Sequence, residues 1–183
     1  MLYYIHGYQS APNSAKGALL QEKLNARSIS YRQGKPEDLR IDDCVQNILD
    51  AIRNDNDVVL IGSSLGGLLA AKVALERSEV KTLILLNPAI IPPHADMSRI
   101  KGIPERILSE MKDDRLLHGK ISARITILIG TRDEVVPKDW VLDFAIAQQA
   151  TVKFLADDHA FTANLDRLPH LIEEILNLRK TVA

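Results

Sequence analysis

The sequence predicts an α/β protein, with a compact, mostly parallel sheet of about six strands, helices on both faces and a small helical insert. Three observations predict it. Short apolar runs alternate with longer stretches of helical periodicity, the pattern left by right-handed strand–helix–strand crossovers. The strongest run, Val58–Ile61, is continuously apolar, as a strand buried on both faces requires. The 183 residues fit one domain better than two, and a domain of that size buries roughly 70% of its unfolded surface without staples. Residues 1–183 are therefore expected to form one domain, with about 90–120 as a cap-like insert.

The elements follow in order. Leu2–His6 reads as the first strand. Ser14 stands as N-cap to a helix over Ala15–Arg27, with Leu19, Leu20 and Leu24 on one face. Ile29–Arg32 is a weak second strand closed by Gly34 and Pro36. Asp42 or Asp43 opens a helix carrying Val45, Ile48, Leu49 and Ile52. After Val58–Ile61, Gly62 breaks the strand and Leu65–Arg77 continues as an Ala/Leu-rich helix. Thr82–Leu86 is the next buried strand, ended by Asn87-Pro88. From Ile90 to Lys120 no strand is evident, and a helix is expected near Pro104–Lys112, with Pro104 early in it. Arg124–Ile129 is a strand stopped by Gly130. Asp139 is expected to cap a helix over Trp140–Gln148. Thr151–Leu155 is the last strand and Leu168–Arg179 the last helix.

Composition excludes several classes. Lys and Arg total 23 against 24 Asp and Glu, so there is no electrostatic reason to expect nucleic acid as a partner. No run approaches the ~20 apolar residues that span a bilayer, and no stable membrane insertion is expected. Residues 1–6 lack the basic region of a signal peptide, so the cytoplasm is the expected compartment. Cys44 is the only cysteine; it precludes an intrachain disulfide and reads as a small core residue. Metal and dinucleotide signatures are absent, so no metal and no cofactor are expected. The sequence assigns no oligomeric state.

In parallel sheets of this kind, function gathers at the carboxyl ends of the strands. Directly after the strongest strand stands Gly62-Ser63-Ser64-Leu65-Gly66-Gly67. This matches the G-x-S-x-G nucleophile elbow in the strand–turn–helix setting that the motif needs. So tight a turn crowds the positions two before and two after the nucleophile, and Gly62 and Gly66 carry no Cβ to clash there. Ser64 can then sit in strained backbone with its hydroxyl exposed above the sheet. Ser63 would be flanked by Ile61 and Leu65. A phosphate-binding loop is not met, because Gly67 is followed by Leu68 where that motif has Lys.

A serine hydroxyl needs a base, and the elbow architecture supplies its partners in the order Ser, acid, His. Of five histidines, His159 alone lies in the loop between the last strand and the last helix. His6 precedes the nucleophile and reads as a loop-shaping or core residue. His94 and His118 fall in the insert and His170 in the final helix. The orienting acid should follow the preceding strand, where Asp133 is the choice and Glu134 the local competitor; Asp157 or Asp158 could only modulate His159. A developing oxyanion would take the backbone N–H of Leu65, at a helix N-terminus, and one from the His6–Ser10 loop, with Tyr8 favoured and Gln9 the alternative.

Four segments carry a family resemblance: His6-Gly7-Tyr8-Gln9-Ser10-Ala11-Pro12-Asn13-Ser14-Ala15-Lys16, Gly62–Gly67, Gly130-Thr131-Arg132-Asp133-Glu134-Val135-Val136-Pro137, and Asp158-His159-Ala160-Phe161. Together the chain resembles the YqiA-like bacterial esterases of the α/β-hydrolase superfamily over nearly its whole length. The resemblance implies an α/β-hydrolase fold and a cytoplasmic carboxylester hydrolase acting on short acyl esters, with Ser64, Asp133 and His159 as the triad. Tyr8 stands where Phe is common, which leaves a backbone donor unaffected.

The expected partner is thus a small acyl ester or thioester, cleaved through an acyl-enzyme. An acyl-CoA thioesterase or acyltransferase with the same triad is the alternative, and a non-catalytic protein on a hydrolase scaffold the more distant one. Ile90, Ile91, Ile100, Ile103, Ile107, Leu108 and Met111 of the insert could line an acyl pocket. They could equally pack the insert onto the sheet.

Overall fold

A computed structural model describes residues 1–177. The elements alternate as β1 (Leu2–Ile5), α1 (Ala15–Leu24), β2 (Arg27–Ser28), α2 (Ile41–Ile52), β3 (Val58–Ser63), α3 (Leu65–Glu76), β4 (Val80–Leu86), α4 (Glu105–Met111), α5 (Arg115–His118), β5 (Arg124–Gly130), α6 (Lys138–Ala147), β6 (Thr151–Leu155) and α7 (Leu168–Asn177). The end of the last expected helix, residues 178–179, lies outside the described residues. The six strands form one sheet in the order β2-β1-β3-β4-β5-β6, with every pair parallel.

The period-two geometry of the strands divides the core into two layers. Tyr3 and Ile5, Val58 and Leu60, Leu83 and Leu85, and Ile125 and Ile127 face one layer, with α2, α3, α6 and the insert helices. Tyr4, Ile61, Ile84 and Leu128 face the other, with Leu20 of α1 and Leu168, Ile172 and Ile175 of α7. The four inner strands β1, β3, β4 and β5 are therefore covered on both sides.

Three local expectations are corrected. The second strand lies at Arg27–Ser28, ahead of Ile29–Arg32. Helix α1 ends early because Asn25 takes a left-handed conformation (φ 54°), and Ser28 already pairs with Tyr4 near the end of β1. The alternating Ile29 and Tyr31 are buried, but little partner strand remains beside them. Helix α2 begins at Ile41, ahead of Asp42, because Glu110 of α4 accepts the Ile41 N–H at 3.0 Å, a cap supplied from elsewhere in the fold. Helix α6 begins at Lys138 after Pro137. Asp139, expected to cap it, instead accepts two hydrogen bonds from Arg99 at 2.7 and 2.9 Å.

The insert is tied to α3 by a buried ion pair. Lys72 Nζ lies 2.6 Å from Asp113 Oδ2, with side chains 6% and 7% exposed. Removing one partner strands the other charge. Asp113→Ala should therefore lower unfolding free energy by about 3–5 kcal/mol at pH 7. The hydrogen bond from Arg115, and then Lys72, hold the Asp113 carboxyl well below its ordinary value of 3.8. The unfolded chain thus takes up the proton first. The contribution is fully present above that ordinary value and fades as pH falls below it. Urea denaturation of both proteins at pH 7 and pH 3 checks this: the gap should narrow at pH 3, and equal stability at pH 7 would contradict it.

Candidate active site

Strand order reverses between β1 and β3, and the loops that leave these neighbouring strands diverge to form a crevice at their carboxyl ends. A cleft of about 540 Å³ opens there, and its lining includes Gly7, Tyr8, Ser64 and His159.

Ser64 sits between β3 and α3 with φ 54° and ψ −120°. That is a strained conformation for a residue with a Cβ. Its neighbours Ser63 and Leu65 are buried, whereas Ser64 is partly exposed. Two close approaches force the turn. A Cβ at Gly62 would stand 2.4 Å from the Gly66 carbonyl oxygen, and one at Gly66 would stand 2.1 Å from that of Ile5. Gly66 is thus crowded by β1, and its counterpart Gly62 by the turn itself.

Asp133 follows β5 and His159 follows β6. His159 Nδ1 and Asp133 Oδ2 are 2.9 Å apart. A carboxylate only accepts, so Nδ1 carries the proton and Nε2 is left as the basic nitrogen. The other carboxylate oxygen, Oδ1, accepts the N–H groups of Val135 (2.8 Å) and Val136 (3.1 Å). The carboxylate is thereby fixed in rotation, with its side chain 2% exposed. Glu134 is exposed, and Arg132 turns away to donate to the Ala156 carbonyl.

Asp157 holds the histidine loop. Its buried carboxylate accepts from the N–H groups of Asp158, Ala163 and Asn164 and from the Asn164 side chain. Asn87 was read from sequence only as the end of a strand. Its Oδ1 accepts Gly130 N–H at 2.8 Å, and its Nδ2 donates to the carbonyls of Asp158 and His159 at 3.1 Å each. One buried side chain thus joins the loops that carry Asp133 and His159. Its position at the carboxyl end of β4 was the available signal.

The remaining expected residues fall as follows. Tyr8 and Gln9 both line the cleft, and no described residue accepts their N–H groups or that of Leu65. His6 is buried, stacked on Tyr31 with ring centroids 4.4 Å apart. Burial pulls its pKa down. Burial pushes the Cys44 thiol up to about 11, which suits a core residue. Of the seven apolar insert residues, only Ile103 reaches the cleft; the other six are buried in the core. Among the described residues no helix is long and apolar enough to cross a membrane, and no cluster of His, Cys, Asp and Glu could hold a metal.

The fold is that of the α/β hydrolases. Est1E from Butyrivibrio proteoclasticus superposes with a TM-score of 0.78 at 20% identity, covering 98% of this chain and 88% of that one. Alpha/beta hydrolase domain-containing protein 10 from mouse gives 0.76 at 21%, covering 96% and 89%. Paleococcus ferrophilus monoacylglycerol lipase gives 0.75 at 15%, covering 96% and 93%. A comparison with curated proteins gives no match. The chain belongs to the family described as Uncharacterised protein family (UPF0227), whose model matches residues 1–177. This is the YqiA-like family that the four segments resemble.

Proposed function

We propose that this protein is a serine carboxylester hydrolase that cleaves short acyl esters through an acyl-enzyme. The observation that carries the reading is the Asp133–His159 hydrogen bond at 2.9 Å, with His159 lining the same cleft as the strained Ser64. In this reading Ser64 Oγ attacks the acyl carbonyl while His159 Nε2 takes its proton. Asp133 stays ionised, holds the tautomer and stabilises the imidazolium. The N–H groups of Leu65 and Tyr8 receive the oxyanion. His159 returns the proton to the departing alcohol, and the same groups then direct water onto the acyl-Ser64 ester. Residues 1–183 act as one catalytic domain, with 90–120 packed as an insert over α3. The Paleococcus ferrophilus monoacylglycerol lipase has the same fold, which supports ester chemistry here.

Because the apolar insert residues other than Ile103 are spent on the core, the insert builds no long apolar wall for an acyl chain. Hydrolysis of 4-nitrophenyl acetate, butyrate and palmitate should favour the two short chains in kcat/KM by about tenfold or more. A preference for palmitate would overturn the short-chain reading, and failure to cleave any of the three would overturn the hydrolase reading.

A further inference from the structure

The charge of the cleft is one-sided. In a chain of net charge −1, its lining contains Lys16 and Lys101 but no Asp or Glu. Lys101 is exposed, while Lys16 is largely covered. Lys16 Nζ donates to Ser63 Oγ at 3.1 Å, one residue from the proposed nucleophile. It also lies 5.5 Å from the centroid of the Phe161 ring. Among the described residues, no carboxylate lies within ion-pair distance of it. The acids that influence it at longer range are Asp157 and Asp158. Asp157 is saturated by its own loop, and Asp158 accepts from the N–H and hydroxyl of Thr162.

An ammonium has three donor protons, and one hydroxyl and a ring face do not compensate a largely desolvated charge. Burial accordingly pulls the Lys16 amine down to about 8. An anionic oxygen group entering the cleft would supply the missing partner. The one-signed lining would also attract such a ligand from solution.

We propose that the cleft binds acyl esters carrying a second, anionic oxygen group, a carboxylate or a phosphate-type group, and that Lys16 recognises it. The inference rests on the ester-hydrolase reading and deepens it by naming a substrate class. Lys16 is here a specificity-determining residue, separate from the bond-breaking groups.

The test uses three 4-nitrophenyl esters of equal acyl length, ending in a carboxylate, a phosphonate or the neutral methyl ester. Wild type should prefer at least one anionic ester over the neutral one by tenfold or more in kcat/KM, and the better of the two identifies the group. Lys16→Met should collapse that ratio to near unity, and Lys16→Arg should retain most of it. An unchanged ratio in Lys16→Met, whatever the absolute rates, overturns the proposal, as does a wild type without preference. Binding of the same three esters to Ser64→Ala by calorimetry separates the two readings. If that protein binds the anionic ester tenfold tighter and wild type cleaves none of them, the hydrolase reading fails and the Lys16 inference stands. If it binds all three alike, the Lys16 inference fails.

Discussion

Ser64→Ala should lower kcat by about 10⁴–10⁶-fold and abolish labelling by a fluorophosphonate probe. The effect is large because the hydroxyl is the bond-forming group in the proposed mechanism; what would remain is the rate that oxyanion donors and binding give to direct attack by water. The fold should survive. The Ser64 side chain makes no capping hydrogen bond to α3, and its carbonyl, which accepts the N–H groups of Gly67, Leu68 and Ala89, is kept in the variant. Alanine at φ 54° bears the same backbone strain as serine. Labelling of wild type and variant side by side, with thermal melts of both, checks this. Equal labelling of the two proteins would remove Ser64 from the chemistry.

Asp133→Asn should reduce turnover by about 10³–10⁴-fold with little change in stability. The two ends of this carboxylate have different partners. Val135 and Val136 donate N–H groups to Oδ1, and His159 Nδ1 faces Oδ2. An asparagine would keep its carbonyl oxygen on the two N–H donors and turn its amide nitrogen toward His159. That nitrogen donates, so Nδ1 would have to accept, and the ring proton would move to Nε2. The imidazole could then no longer take a proton from Ser64. The variant therefore keeps the shape of the site and loses its base. Steady-state kinetics with 4-nitrophenyl acetate, beside thermal unfolding, checks it. Turnover within about tenfold of wild type would exclude Asp133 from the triad.

Much of the fold was legible because burial on both faces leaves a strong mark. Val58–Ile61 is apolar throughout and Thr82–Leu86 is apolar after its first residue, and the structure places both at the centre of the sheet. Edges and caps were less legible. Arg27–Ser28 pairs over two residues only, so it leaves almost no periodic signal. The start of α2 is set by Glu110, far along the chain, and local reading looked to Asp42 or Asp43. Asp139, a good cap by type, is drawn off by Arg99. In each case a partner distant in sequence outweighed a local preference.

The candidate site divides in the same way. The sequence alone pointed to the turn around Ser64, because so tight a reversal of strand into helix needs Gly62, whereas the crowding of Gly66 comes from β1. It also determined the order of serine, acid and histidine and the strand ends on which they stand, since the crossover rule carries each successive loop to the same edge of the sheet. Only the tertiary structure decided which oxygen of Asp133 meets His159, that Asn87 joins the two loops, that the insert isoleucines serve the core, and that Lys16 comes to lie beside Ser63. Those outcomes depend on distances between residues far apart in the chain. A hydrogen bond or an ion pair requires placement to within a few tenths of an ångström, and only the packed sheet and helices fix it.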